Sequence, residues 1–240
     1  MKRRHNIRDL IYVSRNDPDN KCFCSYGIEF HEFMSCVDHR PDNLILLKHN
    51  FVNTQWNRHS RFDYVTSQEI NELINDHVYR YGDFCWVDFN EEELDKLTAL
   101  QIAELLYFGH LGRSLSDIPK IKYAYYAHDD GWYNRLYVTE KEDYKILLAR
   151  VIVSKIRRLT RRLVGKIPSD ISTLIFESTK QGLFIDLSKI NKNRIEIKIP
   201  ITTVGHYTNM DKVYNLKDEI IDYKTWLVFS KKKWKFVKED

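Results

Sequence analysis

The hydrophobic pattern of the first half switches between short β-rich runs and helical spacing. Leu10 to Val13 is apolar and β-rich, and Asn16-Asp17-Pro18-Asp19-Asn20 closes it with turn formers. Phe30, Phe33, Met34 and Val37 then recur at helical spacing. Leu44 to Leu47 and Phe84 to Val87 are further strand candidates. Between them, Thr66 and Glu69 form a capping box ahead of Ile70, Leu73, Ile74 and Val78. Asn90 and the acids 91–93 open a helix that continues through Leu94, Leu97, Leu100 and Leu105 to Gly109. This β-α-β-α-β-α alternation predicts an α/β fold with a mainly parallel sheet, the strands near Ile11, Ile45 and Trp86 running in one direction.

The pattern changes after residue 122. Two aromatic-rich runs, 123–127 and 132–138, flank Asp129-Asp130-Gly131 and predict an antiparallel hairpin. Thr139 and Glu142 form a capping box for a long basic helix with Leu148, Ile152, Ile156, Leu159 and Leu163 on one stripe, ending at Gly165 and Pro168. Beyond it, Ile195, Ile197, Ile199 and Ile201 alternate with polar residues and with Pro200, which favours an edge strand. Trp226 to Phe229 and Trp234 to Val237 frame Ser230-Lys231-Lys232-Lys233 as a closing hairpin. The expected organisation is a main domain over 1–166 and a smaller β-rich part over 167–240, either separate or packed with the first.

The 240 residues are 43% apolar and 30% charged, a balance that supports a buried core rather than disorder. No apolar run reaches the roughly 20 residues of a membrane span. The basic start Met1-Lys2-Arg3-Arg4-His5 is not followed by a secretory h-region. Four cysteines, Cys22, Cys24, Cys36 and Cys85, then suggest thiols in a reducing compartment, and the expected location is the cytoplasm.

The segments 3–9, 17–24, Tyr81-Gly82-Asp83-Phe84-Cys85-Trp86-Val87-Asp88 and Ala127-His128-Asp129-Asp130-Gly131-Trp132 resemble a family of small soluble proteins from spore-forming bacteria. The similarity covers most of the chain and fades beyond Lys155. Some members bear the designation oxalate/formate antiporter, which conflicts with a chain lacking apolar spans. The resemblance implies no established activity.

Four groups of residues could carry chemistry. His128, Asp129 and Asp130 at the hairpin tip could hold a cation, or serve only the turn. Cys22, Cys24, Cys36 and His39 have a zinc-like donor set, but one residue between the first two thiols makes a strained bite. In a parallel sheet the strand ends would gather Arg15, Asp17, His49 and Asp88 for acid–base work. No Gly-rich phosphate loop, P-loop or G-x-S-x-G is present, against a dinucleotide enzyme, an NTPase and an α/β hydrolase.

The fourth group is electrostatic. Eight bases and no acid lie between Lys145 and Lys166, within a net charge of only +4. Lys155, Arg157, Arg158, Arg161 and Arg162 therefore predict a contact face for nucleic acid or an acidic protein, unless they merely solvate the helix and complement its dipole. The reading is a non-enzymatic binding or regulatory protein without a cofactor. The alternative is a small metal-assisted hydrolase or other enzyme using His128, Asp129, Asp130 and strand-end acids. A structural interaction protein using aromatic surfaces is a third option.

Overall fold

The computed structural model describes residues 9–15, 21–38, 44–48, 62–65, 69–71, 84–88, 96–101, 121–127, 133–207 and 209–239. Its strands are β1 (Leu10–Ser14), β2 (Cys22–Tyr26), β3 (Leu44–Lys48), β4 (Phe62–Val65), β5 (Phe84–Val87), β6 (Tyr123–Ala127), β7 (Tyr133–Val138), β8 (Leu183–Asp186), β9 (Asn191–Lys192), β10 (Glu196–Thr203), β11 (Thr225–Ser230) and β12 (Lys233–Lys238). Its helices are α1 (Phe30–Cys36), α2 (Lys141–Thr160), α3 (Ser169–Ser178) and α4 (Met210–Glu219). The chain divides into two compact units. The first comprises Met1–Asn16, Ser25–Ile28 and Lys145–Asp240; the second comprises Asp17–Cys24 and Glu29–Tyr144. The 166/167 boundary expected from sequence lies inside the first unit.

The sheet corrects the expected fold class. Helices and strands are mixed, but a mainly parallel sheet with β-α-β-α-β-α alternation is not what forms. In the second unit the strand order is β2-β7-β6-β5-β3-β4. Strands β3 and β5, expected to be parallel, pair antiparallel, with Lys48 opposite Phe84 and Ile45 opposite Val87. The physical reason is β4, which the sequence reading missed. It returns antiparallel on β3 with Leu44 opposite Val65, so the chain has already reversed direction before β5, which runs parallel to β4 on the other side of β3. The predicted β6–β7 hairpin forms, with Tyr123 opposite Val138 and Ala127 opposite Asn134.

Helix α1 matches its predicted spacing. A reciprocal capping box between Glu29 and Glu32 starts it, and Phe30, Phe33 and Met34 are buried. Phe33 meets Tyr123 and Tyr125 at centroid distances of 6.1 and 5.2 Å, and Phe30 lies 5.3 Å from Tyr125. Residues 123 and 125 share one face of β6 by strand periodicity, so α1 packs on that face. The helix expected over 91–109 does not run through residue 98. Thr98 and Gln101 form their own reciprocal cap, with Thr98 N–H donating to Gln101 Oε1 at 2.9 Å, so helical residues start afresh at 99. The helix expected over 66–78 lies largely outside the described residues.

The first unit is built on the order β12-β11-β10-β8-β1, with β9 on β10. All the pairings of this order are antiparallel. Pro200 sits inside β10 rather than on an edge strand. It marks the point where β10 changes partners: Glu196–Pro200 pairs with β11, and Ile201–Thr203 pairs with β8. A residue without an N–H is tolerated where the ladder switches. Leu10 to Val13, Leu183 to Ile185, Ile197, Ile199 and Ile201 are buried together with Val151, Ile152 and Ile156 of α2.

The ends of α2 are set by named contacts. The Thr139 hydroxyl, just before the helix, donates to the Ile121 carbonyl. At the other end α2 stops at Thr160, short of Leu163 and Gly165. The Thr160 hydroxyl donates to the Ile156 carbonyl, and Arg161 takes a left-handed φ of 56°. Arg157 then clamps the Val164 carbonyl from Nε (3.1 Å) and Nη2 (2.6 Å). Val164 thereby enters the core, while Leu163 is 94% exposed. Among the described residues no helix is long and apolar enough to cross a membrane.

Two local constraints in the first unit are testable. Gly182 has φ 71°, and a Cβ there would lie 1.8 Å from the Gly205 carbonyl oxygen. Val204 N–H donates to Gly182 O and Gly205 N–H to Gln181 O, which fixes that approach. Gly182→Ala should cost at least about 2 kcal/mol in a denaturant melt. Asp186, fully buried, accepts from Ser188 N–H at 3.0 Å and from Tyr223 Oη at 3.0 Å. Burial, then the Asp186 charge, raises the Tyr223 phenol above its ordinary value of 10.0. A phenol held protonated in the fold contributes stability that is complete below pH 10 and lost as pH rises above it. Tyr223→Phe should flatten the stability decline above about pH 10, measured by melts across pH.

Candidate functional site

Several sequence candidates resolve into structural roles. Arg15 closes β1 with its side chain buried. Its guanidinium lies 4.2 Å over the Phe176 ring and 3.5 Å from Glu177, and its N–H donates to Thr179 O. Glu177 also binds Lys180 at 2.7 Å, and Lys180 and then Arg15 hold its carboxyl below the usual range. Asp88 donates its backbone N–H to Tyr123 O. The grouping of strand ends fails with the parallel sheet, because the carboxyl ends of β3 and β5 point to opposite edges of the pair. Asp17, His49, His39, His128, Asp129 and Asp130 lie outside the described residues.

Cys22, Cys24 and Cys36 are free thiols, the first and third buried. Tyr133 Oη lies 3.2 Å from Cys24 Sγ, and burial followed by this thiol pushes the phenol up. The side chain of Cys85 is not described. The sequence reading missed Glu29, His31 and Glu32, whose ligand atoms lie within 4.8 Å of one another. The two carboxylates serve the backbone N–H groups of the α1 cap, including Glu29 N–H at 3.1 Å from Glu32 Oε2. A cation there would also face the positive end of the helix. Ser14 Oγ and His206 Nδ1 lie 2.5 Å apart, and Tyr12 Oη brackets His206 by donating to Gly205 O and accepting from Tyr207 N–H. Ser14 is buried on its strand, so this pair ties the 205–207 segment to β1.

The feature that grows in the structure is positive charge. Of the predicted face, Lys155 is 1% exposed and Arg157 is committed to the Val164 carbonyl. Arg158 and Arg161 are exposed and Arg162 is half-exposed. The segment after α2 is held by Trp234, whose Nε1–H donates to Gly165 O at 3.0 Å. Trp234 itself packs on Phe229 at a centroid distance of 4.9 Å. Trp234 follows Lys233 directly, so the bond brings Gly165 close to the β11–β12 hairpin on the Trp234 face, while Lys233 points to the other face of the strand.

Strand register adds a third segment. Ser230 is opposite both Lys233 and Glu196, so the β11–β12 turn and the turn before β10 share one end of the sheet. Asn193 Oδ1 orders that second turn by accepting from Ile195 and Glu196 N–H groups at 3.0 and 2.9 Å. Lys192, Arg194, Lys231, Lys232 and Lys233 are all exposed there. Among the described residues no acid pairs with Arg161, Arg162, Lys166, Lys192, Arg194 or Lys231 to Lys233. The acid that β12 does hold, Glu239 on Lys198 and Trp226, lies past the opposite end of the hairpin.

Lys231 and Lys232 form the two-residue turn with φ of 49° and 62°. Positive φ at both positions matches the twist of the flanking strands, but Asn-Gly is the usual choice. Each left-handed L residue costs on the order of 1 kcal/mol. The sequence signal for this part of the surface was the acid-free stretch 223–238, which was read only as a hairpin closure.

No protein-family model, curated protein or solved structure matches this chain. The resemblance to proteins of spore-forming bacteria therefore carries no argument about the site. The Trp234–Gly165 bond is directly testable. Trp234→Phe keeps ring packing and removes the donor, and it should cost about 1 kcal/mol in a denaturant melt.

Proposed function

We propose that this chain is a binding protein whose basic surface takes a nucleic acid. The observation that carries the reading is the bond from Trp234 to Gly165, which joins two acid-free segments far apart in sequence. Register then brings in the turn at 193–195. The product is a mainly positive surface made of three backbone segments, each held by its own hydrogen bonds, with the half-buried Glu196 also at that end of the sheet. A phosphate backbone presents one charge per roughly 1.7 Å of duplex axis, and a row of cations without acid partners is its physical complement. Arg161, Arg162 and Arg194 add planar donors suited to phosphate oxygens. Of the predicted helix face, Arg161 and Arg162 belong to this surface, whereas Lys155 is buried and Arg157 is spent on the Val164 carbonyl.

Fluorescence anisotropy with a labelled 20-base-pair duplex tests the reading. If about four cations engage phosphates, affinity should fall on the order of 100-fold between about 50 and 200 mM salt. Arg161→Glu with Arg162→Glu should weaken binding at least about tenfold while leaving the thermal melt within a few degrees. An acidic protein partner would instead show as capture of a polyglutamate peptide in preference to the duplex. Equal duplex affinity for the wild type and the double reversal would contradict the proposal.

A further inference from the structure

We infer that the Lys231–Lys232 turn is a phosphate-gripping element that reads nucleic-acid backbone without regard to base sequence, an inference that rests on the nucleic-acid reading above. The turn pairs two observations that a purely structural hairpin would not combine. Its central residues are both in the left-handed region, where an L side chain is strained and Asn-Gly is not. They are also both lysines, followed by a third at Lys233, so three exposed cations are consecutive at this end of the hairpin. Backbone strain is retained at functional sites, and the ligand that such a run of cations suits is an anion with closely spaced charges.

The chemistry of the tip sets the kind of contact. A lysine ammonium is a compact, strongly hydrated point charge without a planar fork, and at an exposed turn it suits phosphate oxygens. The positive φ values hold Lys231 and Lys232 in one fixed turn, with Ser230 opposite Lys233 closing the ladder beneath them. Neighbouring cations from Arg194 and Lys192 extend the row along the same end of the sheet. Trp234 is buried and Phe229 is half-buried against it, so the rings nearest the tip are used in packing rather than offered to stack bases.

Replacing Lys231→Asn together with Lys232→Gly separates strain from binding. The variant should melt about 2–4 °C higher, because the turn then suits its backbone. The slope of log affinity against log salt should fall by roughly 1.8, the share of two phosphate contacts, and affinity near physiological salt should drop about tenfold. Two 20-base-pair duplexes of unrelated sequence should bind the wild type within about twofold of each other. A control with Lys212→Gln and Lys224→Gln removes the same net charge elsewhere and should keep the wild-type slope. A stabilised turn variant with unchanged slope would overturn the inference alone, as would strong preference for one duplex. No duplex binding by the wild type would overturn the nucleic-acid reading with it.

Discussion

The left-handed turn at Arg161 governs what the first unit can present. Were α2 to continue, Leu163 would stay on its apolar stripe and the arginines would remain on one solvated helix. Instead, the Thr160 hydroxyl takes the Ile156 carbonyl, Arg161 reverses the chain, and Arg157 grips Val164 O. Val164 replaces Leu163 as the buried residue. The next carbonyl, Gly165 O, then meets the Trp234 indole. The bases from Arg161 onward therefore no longer lie on one solvated helix. Arg157 is central to this as a clamp, since a guanidinium supplies two donors to one carbonyl in a fixed geometry.

Legibility in the sequence follows the range of the interaction. Features set by neighbours along the chain were readable: the spacing of Phe30, Phe33 and Met34, the Asp-Gly hairpin between β6 and β7, and the closing hairpin of β11 and β12. Strand direction was not, because apolar runs such as Leu44 to Leu47 look alike in parallel and antiparallel sheets. The decisive element, β4 at Phe62–Val65, is only four residues long and is interrupted by Asp63, so periodicity alone passes over it. Pro200 misled for a related reason: the rule against proline in a central strand assumes one partner per side along the whole strand, and β10 changes partners there.

The candidate site shows the same division. The positive segment 145–166 stood out by composition, but composition could not show that Lys155 faces inward or that Arg157 is spent on a carbonyl. Nor could it bring Gly165 to the β11–β12 hairpin, which requires the β12 register and a single indole bond. Thr139 illustrates the limit from the other side. Its capping-box spacing spoke only of the helix start, and the hydroxyl also donates to the Ile121 carbonyl, a partner distant in sequence. Local motifs state what a residue can do, and tertiary competition decides which partner it takes.

The central claim is that three separated segments act as one surface for a phosphate backbone. Lysine footprinting measures that most directly: brief acetylation of the protein with and without a saturating 20-base-pair duplex, read residue by residue by mass spectrometry. The account predicts joint protection of Lys166, Lys192, Lys231, Lys232 and Lys233, with Lys180, Lys212 and Lys224 modified equally in both states. Protection confined to the latter three, or no protection in the presence of bound duplex, would contradict it.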